Sequence, residues 1–266
     1  MARRARHSPS GWFHIMNRGV AAQPIVRDDA DRRKLLDVVG RSLDGCEASV
    51  HAYCVMTNHY HLLVEAGATE LAQLMKRIGQ RYSQWFNKRH GRIGPVFAGR
   101  YHDVSIDSDP QLLTSVRYIA LNPVAIDRYD IDRYAWSSHG ALVSGTAPEW
   151  LGDVVVEQFG GLGEYRRFVD SGRSSAEQIV EVVRIATDEM RGLRETRERD
   201  VRDVALLLAD RVDADLARSL LDELGFAPGN NERTARHRAR RRFDELGPVV
   251  ERVRTVLEYQ GSGDRR

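Results

Sequence analysis

The run His59-Tyr60-His61-Leu62-Leu63-Val64-Glu65 constrains the fold more than any other stretch of the chain. A period of two sends His59, His61, Leu63 and Glu65 to one side of an extended strand, and Tyr60, Leu62 and Val64 to the other. Residues 48–56 just before it are rich in β-formers. Thr57-Asn58 between them reads as a tight turn, although the preferred Asn-Gly pair is missing. The result is a β-hairpin with two histidines at the start of its second strand. Histidines at alternate positions of a strand lie about 6.5–7 Å apart along the backbone, so both imidazoles can converge on one ion. The same spacing is also that of two ordinary sheet histidines.

Periodicity on either side extends the pattern. Residues 11–18 read as a strand with Trp12, His14 and Met16 on one face. Residues 28–43 carry Leu35, Leu36, Val38 and Val39 at helical spacing. Residues 70–89 form a long helix with an apolar stripe of Leu71, Leu74, Ile78, Tyr82, Trp85 and Phe86. Gly91, Gly94 and Pro95 end it, and residues 96–106 are expected to form a fourth strand. Asp109 and Pro110 open a further helix through Leu112, Leu113, Val116, Tyr118 and Ile119. It should end near Asn122, because Pro123 disfavours helix at the residue before it. This order matches an α+β, ferredoxin-like split βαβ: an antiparallel sheet with helices on one face and the other left for a ligand or DNA.

Past about Gly140 the pattern changes. Residues 146–175 read as an irregular linker around Gly160, Gly161 and Gly163, and residues 176–266 as an all-α C-terminal region. Segments 200–211, 213–224 and 231–246 resemble a helix-turn-helix trio. The expected domains are therefore 1–145, 146–175 and 176–266.

A net charge of +2 over 266 residues means that any nucleic-acid surface must come from local clustering of cations. Arg77, Arg81, Lys88, Arg89, His90, Arg92 and Arg100, with Tyr101, form one such cluster, suited to phosphates and unstacked bases, or simply a solvated helix face. Asn17 and Arg18 end the first strand, where they could read bases. In the tail, Arg236 and Arg240 lie among further arginines on the third helix of the trio, which could enter a DNA groove or be a solvated or partner-binding helix. The two cysteines, Cys46 and Cys54, make no disulfide framework. No apolar signal core follows the basic start and no run approaches the ~20 apolar residues of a membrane helix. The expectation is a cytoplasmic, nucleoid-associated protein with no membrane partner.

Tyr118 and Asn122 lie four apart on one helix and so share a face. A tyrosine beside a metal-bound phosphate can attack phosphorus and form a phosphotyrosine link, which a later 3′-hydroxyl can reverse. Asn122 could add a third ligand through its carbonyl oxygen. The divalent cofactor expected is Mg²⁺ or Mn²⁺, with Mn²⁺, Co²⁺ and Zn²⁺ suiting an imidazole and carboxamide set better than Mg²⁺. Periodicity alone favours reading Tyr118 as a core aromatic among Leu113, Val116 and Ile119 over reading it as a nucleophile. Tyr82 is the rival nucleophile, although it fits the apolar stripe of its own helix.

Several ordered segments resemble the REP-associated tyrosine transposases of the HUH single-strand transposase superfamily. They are Trp12-Phe13-His14-Ile15-Met16-Asn17-Arg18-Gly19, then Tyr53 to Val64 with its His-Tyr-His, then Trp85 to Gly91 and Gly94 to Tyr101. Arg117-Tyr118-Ile119-Ala120-Leu121-Asn122-Pro123-Val124 and Tyr134-Ala135-Trp136-Ser137-Ser138 complete the series. The resemblance spans about half the chain. It implies a metal-dependent endonuclease and strand transferase acting on single-stranded DNA hairpins. His59 and His61 would then be metal ligands and Tyr118 the nucleophile, in a monomer or homodimer. One departure is Ala120, where the family often has histidine. The rival readings are a catalytically silent DNA-binding regulator derived from a transposase, and an RNA-binding sheet.

Overall fold

A computed structural model describes residues 11–127, 130–170, 198–209, 214–224 and 230–262, with shorter stretches between 179 and 226. Contacts group the chain into two units, Met1–Leu112 with Ile131–Leu162, and Leu113–Asp130 with Gly163–Arg266. Among the described residues no helix is long and apolar enough to cross a membrane.

The first unit is built on strands β1 (Gly11–Arg18), β2 (Ala48–Val55), β3 (His59–Ala66) and β4 (His102–Ile106), in the order β2-β3-β1-β4. Every neighbouring pair is antiparallel, which is the split βαβ arrangement. Helices α1 (Asp29–Leu43) and α2 (Ala68–His90) supply the layer that packs on it. The inner face offers Phe13, Ile15, Tyr53, Val55, Tyr60, Leu62 and Val64. Against them sit Leu35 and Val39 of α1 and the α2 stripe Leu71, Leu74, Ile78, Tyr82 and Phe86. Each such side chain contributes roughly 1.5–3 kcal/mol by leaving water. Tyr82 belongs wholly to this core: it is fully buried and its hydroxyl donates to the Ile25 carbonyl at 2.6 Å. Burial pushes its phenol well above the usual range.

Asp28 caps α1 by accepting from the Asp31 amide at 3.0 Å. The completely buried Asp31 carboxylate binds Arg89 and lies 2.9 Å from His90 Nε2, both at the far end of α2. Arg89 also forks onto Asp28 at 2.7 and 2.8 Å, and it holds the Asp28 carboxyl far below its ordinary range. One charged latch therefore fastens the start of α1 to the end of α2.

Segment 134–152 shields the free edge of β2. The Val55 amide donates to the Trp136 carbonyl at 2.9 Å, the Tyr53 amide to Ser138 Oγ at 3.0 Å, and the Tyr134 hydroxyl to the Val55 carbonyl at 2.8 Å. Short helices α4 (Ser138–Val143) and α5 (Val154–Gln158) follow. With α6 (Leu162–Asp170) they replace most of the irregular linker expected over 146–175; residues 171–175 lie outside the described ones.

Two other expectations are corrected. The fourth strand begins at His102, not at residue 96. Residues 96–98 instead bond at and just past the end of β1, Val20 amide to Val96 carbonyl and Ala98 amide to Arg18 carbonyl, and residues 99–101 separate them from β4. Helix α3 (Asp109–Asp127) runs straight through Pro123. A proline inside a helix costs about 3 kcal/mol. Burial of Val116, Tyr118, Ile119 and Leu121 along the same helix offsets that on the usual scale of core side chains.

By its contacts, most of α3 belongs to the second unit. That unit also holds α6, α7 (Glu198–Ala209), α8 (Ala214–Glu223), α9 (Asn230–Arg241) and α10 (Phe243–Ser262). Its core joins Tyr118 to Ile179, Val183, Val204, Leu208, Leu220 and Val250. The third helix of the expected trio stops at Arg241 rather than 246, because Arg242 turns the chain: its carbonyl takes the Glu245 amide at 3.0 Å, and α10 begins there.

Replacing Asp31 with Ala should destabilise the first unit by about 3 kcal/mol, the scale of breaking a buried ion pair. A urea midpoint within error of wild type would show that the latch carries no stability.

Candidate functional site

Register builds the histidine cluster. β1 pairs with β3 so that Met16 faces His61 and Arg18 faces His59, and with β4 so that Met16 also faces His102. Cys54 of β2 lies opposite His61. Alternation along each strand then collects His14, His59, His61 and His102 on the face of the sheet away from α1 and α2. The imidazoles of His59 and His61 stand edge-on with centroids 5.1 Å apart, closer than their backbone spacing. His61 Nδ1 lies 2.9 Å from His14 Nε2, and His59 Nδ1 lies 2.7 Å from Asn58 Oδ1. With each Nδ1 engaged, Nε2 is the ring nitrogen that would meet an ion, and His14 and Asn58 fix the two rings as outer-shell partners do.

The turn that presents His59 is itself anchored. Gly19 amide donates to the Asn58 carbonyl at 2.8 Å, and the Ile25 and Val26 amides both reach the Thr57 carbonyl. A Cβ on Gly19 would sit 2.0 Å from the Gln23 carbonyl oxygen, so only glycine lets this loop close onto the turn. His14 was not foreseen as a partner of the pair. Its placement beside Trp12 and Met16 was visible in the alternation, but the pairing register was not.

The donor set fits a divalent ion in part. Two imidazoles converge, yet the described residues hold no group of three or more His, Cys, Asp or Glu able to bind a metal. The remaining positions would fall to water, phosphate or an amide oxygen. On this face His61 is fully buried, and His14, His59, Leu63 and Cys54 are buried as well.

Tyr118 and Asn122 share one face of α3, as expected, but that face is packed inside the second unit. Each is 1% exposed. The Arg252 guanidinium of α10 lies 5.8 Å over the Tyr118 ring, and its Nη2 donates to Asn122 Oδ1 at 3.2 Å. Ala120 is buried too. Neighbouring Arg117 donates to the Phe168 carbonyl at 2.8 Å and stacks on the Phe168 ring at 4.1 Å; burial lowers its pKa.

The single basic surface expected from sequence divides. Arg77 and Arg81, with Lys88, line a cavity of about 740 Å³ between α1 and α2. There Arg77 donates to the Ser42 and Asp44 carbonyls and Arg81 to that of Arg41. Arg89 and His90 are committed to the Asp28–Asp31 latch, and Arg92 donates to Gln23. Arg100 and Tyr101 line a second cavity with Asn17. Asn17 is 6% exposed and accepts from the Arg18 amide at 3.0 Å. On α9, Arg238 binds the buried Asp203, as does Arg242 just beyond the helix, while Arg236 is half-buried and Arg240 exposed.

His51 occupies the irregularity between Val50 and Ala52 in the β2–β3 register, with Nε2 3.4 Å from Glu65. Burial lowers its pKa, and Glu65 only partly opposes that. The neutral form is therefore favoured in the fold, and stability is lost as pH falls through the ordinary value of 6.5. A His51→Gln variant should lose less stability than wild type between pH 7 and 5 in urea titrations; parallel losses would show that His51 titrates normally.

Residues 8–122 match the family described as transposase IS200-like. A solved structure of a REP-associated tyrosine transposase bound to a REP hairpin shares 18% identity over 58% of this chain and 93% of its own, with a TM-score of 0.42. A likeness of that size says nothing by itself about the chemistry of this chain. No curated protein matches the chain.

Proposed function

We propose that the chain, whose residues 8–122 match the IS200-like transposase family, is a metal-dependent nuclease and strand transferase. It would cut single-stranded DNA beside a hairpin through a covalent 5′-phosphotyrosine. The observation that carries this reading is the oriented pair, His59 and His61, each with its Nδ1 held by a neighbour.

His59 and His61 would hold a divalent ion, Mg²⁺ or Mn²⁺, which supplies positive charge at the scissile phosphate. The Asn122 carboxamide is the candidate third ligand. The Tyr118 phenol oxygen would bond to phosphorus while the phosphorus–O3′ bond breaks, and the departing strand leaves as a 3′-hydroxyl carrying the phenol proton. The bond energy stays in the phosphotyrosine, so attack by another 3′-hydroxyl joins strands and frees the tyrosine. Arg236 and Arg240 on α9 would hold a flanking stretch of DNA through its phosphates.

A second reading, a DNA-binding regulator without cleavage, has one observation in its favour: Tyr118 is a core residue of its unit under Arg252. Tight hairpin binding with no cleavage in either Mg²⁺ or Mn²⁺ would select it.

Incubating the full chain with single-stranded hairpins should give a covalent adduct that maps to Tyr118 and vanishes in Tyr118→Phe. Adduct formation by Tyr118→Phe overturns the assignment of the nucleophile. Loss of both ligands in His59→Ala/His61→Ala should abolish cutting, whereas His14→Ala should slow it about 10–100-fold, the usual cost of losing an outer-shell partner.

A further inference from the structure

We infer that the cavity between α2 and the 95–101 segment is a pocket for one unpaired nucleotide of a DNA strand; this rests on the single-strand reading above. Its volume is about 730 Å³, within the ~300–1,000 Å³ of ordinary ligand sites. Its floor is apolar, with Met75, Val96 and Phe97. Its rim carries the side chains that recognise a nucleotide. Lys76 and Arg100 are exposed cations for the flanking phosphates. Gln80 and Gln84 are exposed amides able to donate to and accept from a base edge. Half-buried Tyr101 offers a ring to stack upon. Among the described residues no Asp or Glu lines the cavity, so the charge suits an anionic chain.

Gly79 is the second, independent observation. It lies in the middle of α2, where glycine is less favourable than alanine. Neither packing nor backbone explains it. A Cβ built there meets nothing within 4 Å, and its φ is not in the left-handed region. The open space lies in the cavity that Gly79 lines. A side chain at this position would stabilise the helix and occupy the pocket, and a flat base lying against the bare helix backbone needs that room.

The two consequences separate in one variant. Gly79→Leu should unfold at or above the wild-type temperature, yet bind a fluorescent single-stranded DNA 12-mer about ten- to a hundredfold more weakly in anisotropy titrations. Tyr101→Ala should weaken binding by a similar factor, the range of one lost base stack, and Tyr101→Phe should restore it. A strand carrying 5-iodouracil should photocrosslink to Tyr101. Titrations use the full chain without divalent metal, so failure of the cleavage reading leaves their outcome untouched. Undiminished binding by Gly79→Leu, or a crosslink confined to residues outside this cavity, overturns the pocket. Binding of a matched RNA strand in place of the DNA strand overturns the assignment to DNA.

Discussion

The register of β1 on β3 is the constraint from which the site follows. Arg18 opposite His59 and Met16 opposite His61 put His14 within 2.9 Å of His61. A slip of one residue would send the histidines into the helix-packed core and Tyr60 and Leu62 out of it. Burial of Phe13, Ile15, Tyr60, Leu62 and Val64 on the inner face therefore specifies the histidine geometry on the other. The site inherits its precision from hydrophobic packing, with the Gly19 and Ile25 contacts to the turn as the local clamp. Tyr60 sits between the two histidines as a core residue, and burial holds its phenol above the ordinary range.

Much of this layer was legible in the sequence because its signals are local. Period-two alternation located β1 and β3, and the α2 stripe named the residues that fill the core. The misreadings share a cause, since each depends on partners distant in sequence. The end of β1 diverts residues 96–98 from the fourth strand. Core burial along α3 carries the helix past Pro123. Arg89 and His90 looked like DNA ligands because nothing local announces that Asp28 and Asp31 claim them, from about 60 residues away. In the same way, periodicity could show that Tyr118 and Asn122 share a face, but not that Arg252 would lie over it.

Tyr118 connects the two readings of its helix. Helical spacing allowed it to be a core aromatic or a nucleophile, and in its own unit it is a core aromatic. Under the proposed reaction the nucleophile would be a second, unpacked state of the same side chain. Taking a tyrosine of 150–250 Å² out of such a core costs about 4–6 kcal/mol at 25 cal/mol per Å². That disfavours an exposed phenol by roughly a thousandfold or more. Attack on a strand that makes none of the compensating contacts would be suppressed by that factor. Contacts made by a correctly seated strand must then supply the difference, because a ligand shifts an equilibrium only by its differential affinity for the two states. On this account the arginine over the ring is no bystander: Arg252 holds both Tyr118 and the Asn122 oxygen in the packed state, so attacking group and candidate ligand would be released together.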